Sequence, residues 1–204
     1  MAGVSISIGA KRFAETIFAD FQLEVAPGER LAILAPSGIG KSSLLRMVAG
    51  IDRDFSGTIS VGGQPAHAAP APGFVFQDGR LLPWLSVLDN VRLGGAGAEE
   101  LLARVGLAGR ERDFPHQLSG GMQRRVALAR ALASPSGLLL LDEPFVSLDR
   151  ALADEMQGLL AELVAARRPT MLLVTHAPEE AERLAERVIM LEGRPARVVS
   201  DRRR

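Results

Sequence analysis

Cysteine is absent from this chain, so disulfides, thiolate metal sites and cysteine nucleophiles are all excluded. That agrees with a reducing compartment. Charge of one sign is also lacking. Lys and Arg number 24, Asp and Glu 24, and the formal net charge is zero. No global basic excess points to nucleic acid. The lone basic run, Arg202-Arg203-Arg204, reads as a solvated tail. Long apolar runs are missing too. The longest spans about Gly137 to Leu141, against the roughly 20 residues a spanning helix needs. The opening residues, MAGVSISIGAKRF, hold no apolar signal core. The expectation is a chain that neither spans nor anchors in a membrane by itself; if it serves transport, another chain forms the pore. What is present is 204 residues with 47% hydrophobic content, enough for one domain with a sizeable core.

Alternation marks half-buried strands at Val4 to Ile8 and at Phe21 to Val25. Leu31 to Leu34 is a continuous apolar run. It leads through a loop, Ala35 to Gly40, into a helix from about Lys41 to Ala49. Short strands follow at Gly57 to Val61 and Phe74 to Phe76, with a Pro/Ala-rich loop, Pro65 to Gly73, between them. From Gln77 to about Ser136 the pattern is helical, with segments at Leu81 to Leu93, Glu99 to Val105 and Gly120 to Ala133. Strands return at Leu138 to Leu141, Met171 to Thr175 and Val188 to Leu191, separated by helices Arg150 to Arg167 and Glu179 to Glu186. Strands alternating with helices predict a parallel sheet covered on both faces. The helical middle, about 78–136, reads as an insertion into that single domain.

Ala35-Pro36-Ser37-Gly38-Ile39-Gly40-Lys41-Ser42 follows a strand and opens a helix, the context a phosphate-binding P-loop requires. Glycines let backbone N–H groups turn inward around an anion, and the helix N-terminus adds positive partial charge there. Lys41 is placed to reach β- and γ-phosphates, and the Ser42 hydroxyl to take a place on Mg²⁺. The usual pattern begins with Gly where this chain has Ala35, a change that is neutral if its φ is negative. Asp142-Glu143 follow four apolar residues, so both carboxylates sit at the C-terminal edge of a buried strand, where ligands bind in open α/β sheets. Asp142 suits the metal, Glu143 the attacking water, and alternation along a strand is expected to point them opposite ways. His176 and Gln77 also end strands. His176 is placed to bond a γ-phosphate or the water, and Gln77 to ligate Mg²⁺ or sense the γ-phosphate.

Leu118-Ser119-Gly120-Gly121-Met122 resembles the signature of the ATP-binding cassette (ABC) family. The resemblance covers nearly the whole chain. It implies an α/β P-loop NTPase fold with a mostly parallel central sheet, an N-terminal antiparallel β-subdomain and an inserted α-helical subdomain. It implies ATP and Mg²⁺ as ligands. On the family pattern, catalysis falls to Glu143, His176 and Lys41. Nucleotide binding falls to Phe13, Pro36, Ser37, Gly38, Ile39, Gly40, Lys41, Ser42, Ser43, Gln77, Ser119, Gly120, Gly121 and Asp149. The metal falls to Ser42, Gln77 and Asp142. Phe13 resembles the aromatic that stacks on adenine; Phe18 is a second candidate whose place before a strand suggests core. Ser147-Leu148-Asp149 resembles the D-loop, and Gln77 and His176 the Q-loop and switch residues.

The segment VFQDGRLLPWLSVLDNV, Val75 to Val91, resembles importer ATPases of the nitrate, sulfonate and taurine group and related pyrimidine-precursor importers. Trp84, the only Trp, belongs either to the surface facing the membrane partner or to subdomain core. The resemblance implies a homodimer with ATP between subunits, transmembrane permease subunits, a separate solute-binding protein and no nucleic acid. It places the chain in the cytoplasm, peripheral on the inner membrane face. Exporter-type and soluble, non-transport ABC ATPases are the alternatives. Three features depart from the family: Gln123-Arg124, where Gln usually occupies the second position; a short stretch between Val91 and Leu101; and an end soon after Leu191.

Overall fold

The computed structural model describes residues 2–146 and 148–204. Strands β1 (Val4–Arg12) and β2 (Thr16–Val25) pair antiparallel, with Ile6 opposite Leu23 and Ile8 opposite Phe21. Strand β3 (Arg30–Leu34) leads into helix α1 (Lys41–Val48). Then come β4 (Ser56–Val61), which pairs antiparallel with β1, the two-residue β5 (Gln64–Pro65) and β6 (Gly73–Val75). No strand interrupts the next stretch among the described residues. It holds α2 (Val87–Arg92), α3 (Ala98–Arg104), a 3₁₀ turn at Pro115–Gln117 and α4 (Gly120–Leu132). The chain closes with β7 (Leu138–Asp142), α5 (Arg150–Arg167), β8 (Thr170–Thr175), α6 (Pro178–Leu184), β9 (Arg187–Glu192) and β10 (Arg197–Arg203).

Two sheets result. One is antiparallel, in the order β2-β1-β4-β5; the other runs β10-β9-β3-β8-β7-β6 and is parallel except for its β9–β10 pair. The middles of its central strands, Leu31–Leu34, Leu138–Leu141 and Met171–Val174, are apolar because both faces are covered. Period-2 alternation sorts them: Ala32, Leu34, Leu139, Leu141, Met171 and Leu173 join one core with α4 and α5. Leu31, Ile33, Leu138, Leu140, Leu172 and Val174 join the other with α1 and the antiparallel sheet. Burial on both sides locks the register, and the register sets where the strand ends lie. None of the described helices is long and apolar enough to cross a membrane.

Three expectations need correction. The strand Val188 to Leu191 is not the last: β10 follows and pairs antiparallel with β9, Val198 opposite Leu191. It is an edge strand with exposed valines and many charges, so it lacks the apolar alternation by which a strand is read. Consequently Arg202 and Arg203 are not tail residues; Arg203 lies 3.3 Å from Glu29, and Arg204 donates to the Glu182 carbonyl. The helix expected at Leu81 to Leu93 begins only at Val87, because Pro83 and Arg80, at φ 45°, keep the preceding segment irregular. The buried Asn90 amide holds that segment instead. It accepts from Leu82 N at 2.8 Å and donates to the carbonyls of Leu82, Leu85 and Ser86. Trp84 is left 69% exposed, which settles it as surface rather than core.

Candidate active site

Three neighbouring strands deliver the site. β3 ends at the P-loop, β8 at His176 and β7 at the acid pair, all at C-terminal edges of the parallel sheet. Gly38 (φ 79°) and Gly40 (φ 104°) make the left-handed turns of the loop, and Gly40 caps α1. Among the described residues the non-glycine positive φ values are those of Asp20, Arg80, Glu143 and Arg168. Ala35 is not one of them, so its methyl adds no left-handed strain, and it packs in the core instead.

Lys41 is almost fully buried. Its ammonium donates to the carbonyls of Ala35 at 2.8 Å and Pro36 at 3.0 Å, and lies 3.0 Å from Glu143 Oε1. Glu143 Oε2 lies 3.2 Å from His176 Nδ1. An ionised carboxylate only accepts, so Nδ1 carries the hydrogen and, in a neutral ring, Nε2 is left as an acceptor. Glu143 thus bridges the P-loop lysine and the histidine. It reaches both because it has left the strand. At φ 45° it turns back over the sheet edge, and its N–H donates to the Val174 carbonyl of β8 at 3.0 Å. Strand alternation is therefore not what separates the two acids, contrary to expectation; a left-handed backbone turn is. For a non-glycine residue that conformation costs about 1–2 kcal/mol, and such strain persists where surrounding structure over-determines it.

Asp142 is still in β7 and buried. It accepts from the Ser42 hydroxyl at 3.0 Å. Burial pushes its carboxyl above the ordinary aspartate range, and the Ser42 hydrogen bond opposes that shift. The half-buried Ser42 hydroxyl beside the buried Asp142 carboxylate is a pair of hard oxygen donors that fits a Mg²⁺ ion, whose charge offsets the desolvation. Among the described residues no cluster of three or more His, Cys, Asp or Glu is arranged to hold a metal by itself.

The remaining candidates lie elsewhere. Gln77 follows β6 with its side chain exposed, and no hydrogen bond joins it to Ser42 or Asp142 among the described residues. Ser119 caps α4 by accepting from Met122 N at 3.3 Å, and a Cβ built on Gly120 would meet nothing within 4 Å. Asp149 caps α5, accepting from Leu152 N at 3.0 Å, while Ser147 lies outside the described residues. Phe13 is 63% exposed just beyond β1, whereas Phe18 is fully buried against Phe21 and so is core.

Residues 18–146 match the family described as ABC transporter. The chain belongs to the ABC transporter family. Among its relatives, the aliphatic sulfonates import ATP-binding protein SsuB 1 of Rhodococcus jostii is 48% identical over 191 residues, 91% of this chain and 77% of the relative. SsuB 2 of Burkholderia cenocepacia is 45% identical over 205 residues, 96% of this chain and 76% of the relative. Among solved structures, the dimeric post-hydrolysis state of the ATP-binding cassette MJ0796, bound to ADP and Pi, superposes with a TM-score of 0.81. Its identity is 27%, over 100% of this chain and 98% of that one. The chain is the ATP-binding and ATP-hydrolysing subunit of an ABC transporter.

Around this ABC site stand residues that the sequence reading passed over. Lys11, only 2% exposed, donates to Asp52 Oδ1 at 2.9 Å and the Asp54 carbonyl at 2.7 Å, with its ammonium 4.8 Å from the Phe13 ring centroid. It fixes the base of Phe13 and adds a cation–π contact. Arg194, from the β9–β10 connection, joins Glu15 at 3.0 Å to the Gly38 carbonyl at 3.1 Å. Beneath His176, Thr175 donates to Glu180 at 2.6 Å. Alternation along β1 gave no signal for Lys11, which is buried out of phase with Val4, Ile6 and Ile8 after a register shift; the others appear only when distant segments meet.

Proposed function

We propose that this subunit powers import of small sulfonates through a separate permease, working from the cytoplasmic face of the membrane as a dimer. Supporting the cargo is 45–48% identity to aliphatic sulfonates import ATP-binding proteins over at least nine-tenths of this chain. Supporting the dimer is MJ0796, whose cassette is dimeric with ADP and Pi. The chain forms one nucleotide-binding domain, with a helical insertion at about 78–136.

The observation that carries hydrolysis is the Glu143 carboxylate shared between Lys41 and His176. In the proposed reaction water attacks the γ-phosphorus of ATP, the bond to the β,γ-bridging oxygen breaks, and ADP and phosphate leave. Glu143 orients that water and accepts its proton. The Lys41 side chain donates to β- and γ-phosphate oxygens in place of the loop carbonyls. His176, held by Glu143 through Nδ1, presents its ring edge to the γ-phosphate and the water. Pro36 to Gly40, Ser42 and Ser43 cradle the phosphates with N–H groups and hydroxyls at the start of α1. Ser42 and Asp142 would hold Mg²⁺, joined by Gln77 once phosphates are present. When bound, the ion neutralises charge on the β- and γ-phosphates. Phe13 stacks on adenine from its Lys11-supported position. Ser119, Gly120 and Gly121 approach the partner subunit's ATP, which explains an exposed glycine whose Cβ nothing in its own chain forbids. Asp149 lies at the dimer seam.

The test is reconstitution of the subunit with its permease and binding protein in vesicles. Expected are ATP-dependent accumulation of an alkanesulfonate and hydrolysis stimulated by it. Hydrolysis indifferent to sulfonates but stimulated by another solute would overturn the cargo and leave the ATPase intact.

A further inference from the structure

Helix α4 starts at the signature and points its next two side chains in opposite directions. Gln123 Nε2 donates back to the carbonyls of Pro115 at 2.9 Å and Leu118 at 3.3 Å, bracing the segment ahead of Ser119. Arg124 reaches the other way. Its Nη1 donates to the Gln77 carbonyl at 3.1 Å and the Pro144 carbonyl at 3.0 Å, and its Nη2 to the Val146 carbonyl at 3.2 Å. One planar guanidinium fork therefore ties three segments: the signature helix, the loop after β6 and the loop immediately following Glu143. Farther along α4, Arg130 donates to the Gly79 and Arg80 carbonyls at 2.8 Å each, so residues 77–80 are held to this helix at two points. Among the described residues, the side-chain hydrogen bonds of Arg130 reach only that loop. Arg124 alone of the two spans both.

We propose that Arg124 is a positioning residue that couples the signature helix to the hydrolytic carboxylate of its own chain. Ser119 to Gly121 serve the partner's nucleotide in the reading above, on which this inference rests, while Gln77 and Glu143 serve the chain's own. When α4 shifts as its N-terminus engages the partner's ATP, the guanidinium carries the backbone of Gln77 and of Pro144 with it. Occupancy of one site thereby sets the geometry of the other, and by linkage the effect is reciprocal in binding. A glutamine, which the family usually has here, offers a single amide with two hydrogens and cannot match a fork with donors on separate nitrogens. In this chain Gln123 is committed to Pro115 and Leu118, so it does not substitute for Arg124.

The experiment measures ATP hydrolysis against ATP concentration for Arg124→Met, Arg124→Lys and Glu143→Gln, with thermal melts to verify folding. Arg124→Met keeps the length and loses every donor. Its kcat is expected to fall about tenfold, a typical size for a broken coupling, with KM changed by less than about twofold and the Hill coefficient lowered toward one. Arg124→Lys, able to reach one loop at a time, is expected to fall between and remains informative if the Met variant does not fold. A folded Arg124→Met with unchanged kcat and Hill coefficient overturns the coupling role, and so does a raised KM at unchanged kcat. Should Glu143→Gln hydrolyse normally, the reading of the site fails and this proposal with it. A silent Glu143→Gln beside an unaltered Arg124→Met removes the coupling alone.

Discussion

Glu143→Gln isolates the charge of the bridging carboxylate from its shape. Glutamine retains an oxygen that accepts from Lys41 where Oε1 lies at 3.0 Å, and the backbone stays at φ 45° at unchanged cost. What disappears is the negative charge and the proton acceptor. Removing one partner of a buried pair costs about 3–5 kcal/mol when nothing else holds the other. Here the Ala35 and Pro36 carbonyls still hold Lys41, so a loss of about 1–2 kcal/mol is expected. The chemical step suffers more. Loss of a general base reduces turnover about 10²–10⁴-fold, or roughly 3–5 kcal/mol of barrier. ATP binding is not weakened, because the variant carries one negative charge fewer beside the γ-phosphate. Phosphate release under saturating Mg²⁺-ATP reads the chemistry, and gel filtration with ATP reads the dimer. The variant is expected to dimerise with ATP and stay dimeric. Turnover within about threefold of the unsubstituted protein refutes the assignment of Glu143 as the base, since a lost base leaves no such residual rate.

Lys41→Ala removes the ammonium shared by two carbonyls and Glu143, and nucleotide binding measured by calorimetry is expected to vanish while the fold persists. Gly120→Ala should raise monomer stability by up to about 1 kcal/mol, from helix propensity at an open position, yet suppress hydrolysis; unchanged turnover means that no partner nucleotide approaches there. Asp142→Asn bears on pH. The folded carboxyl titrates above its ordinary value of 3.8, so its favourable contribution is present at low pH and lost as pH rises through the folded pKa. The melting temperature of Asp142→Asn relative to the parent should therefore grow from acid to neutral pH while Mg²⁺-dependent hydrolysis is lost; a difference that shrinks as pH rises contradicts the burial argument.

Most central strands were legible because burial on both faces leaves a continuous apolar run, as in Leu138 to Leu141 and Leu31 to Leu34. The P-loop and acid pair were legible because their chemistry is local in sequence. β10 was not, since an edge strand needs no apolar face and carries Arg197, Asp201, Arg202 and Arg203. The late start of α2 was hidden because Leu81, Leu82 and Leu85 mimic a helical stripe, while a single buried amide, Asn90, holds them as a loop. The left-handed turn at Glu143 has no signature in residue type, because it is imposed by Val174, Lys41 and His176 from elsewhere in the chain. The Arg124 clamp was visible only as a departure from pattern; its three acceptors are backbone carbonyls, which no sequence displays.

The position of β3 has a consequence for synthesis of the chain. Its two sheet neighbours, β8 and β9, lie more than 130 residues downstream. A ribosome adding about 5–20 residues per second needs roughly 7–30 s to pass from β3 to β8. Until then the strand that carries the P-loop has neither of its sheet neighbours, and its backbone groups are an open template for mispairing. His176 emerges after β8, and Glu143 loses its Val174 anchor in anything shorter. Products terminated before His176 therefore carry a P-loop sequence without the Glu143–His176 pair. Lys41, Glu143 and His176 can therefore meet only after β8 has been made, so ATP turnover is expected to start late in synthesis.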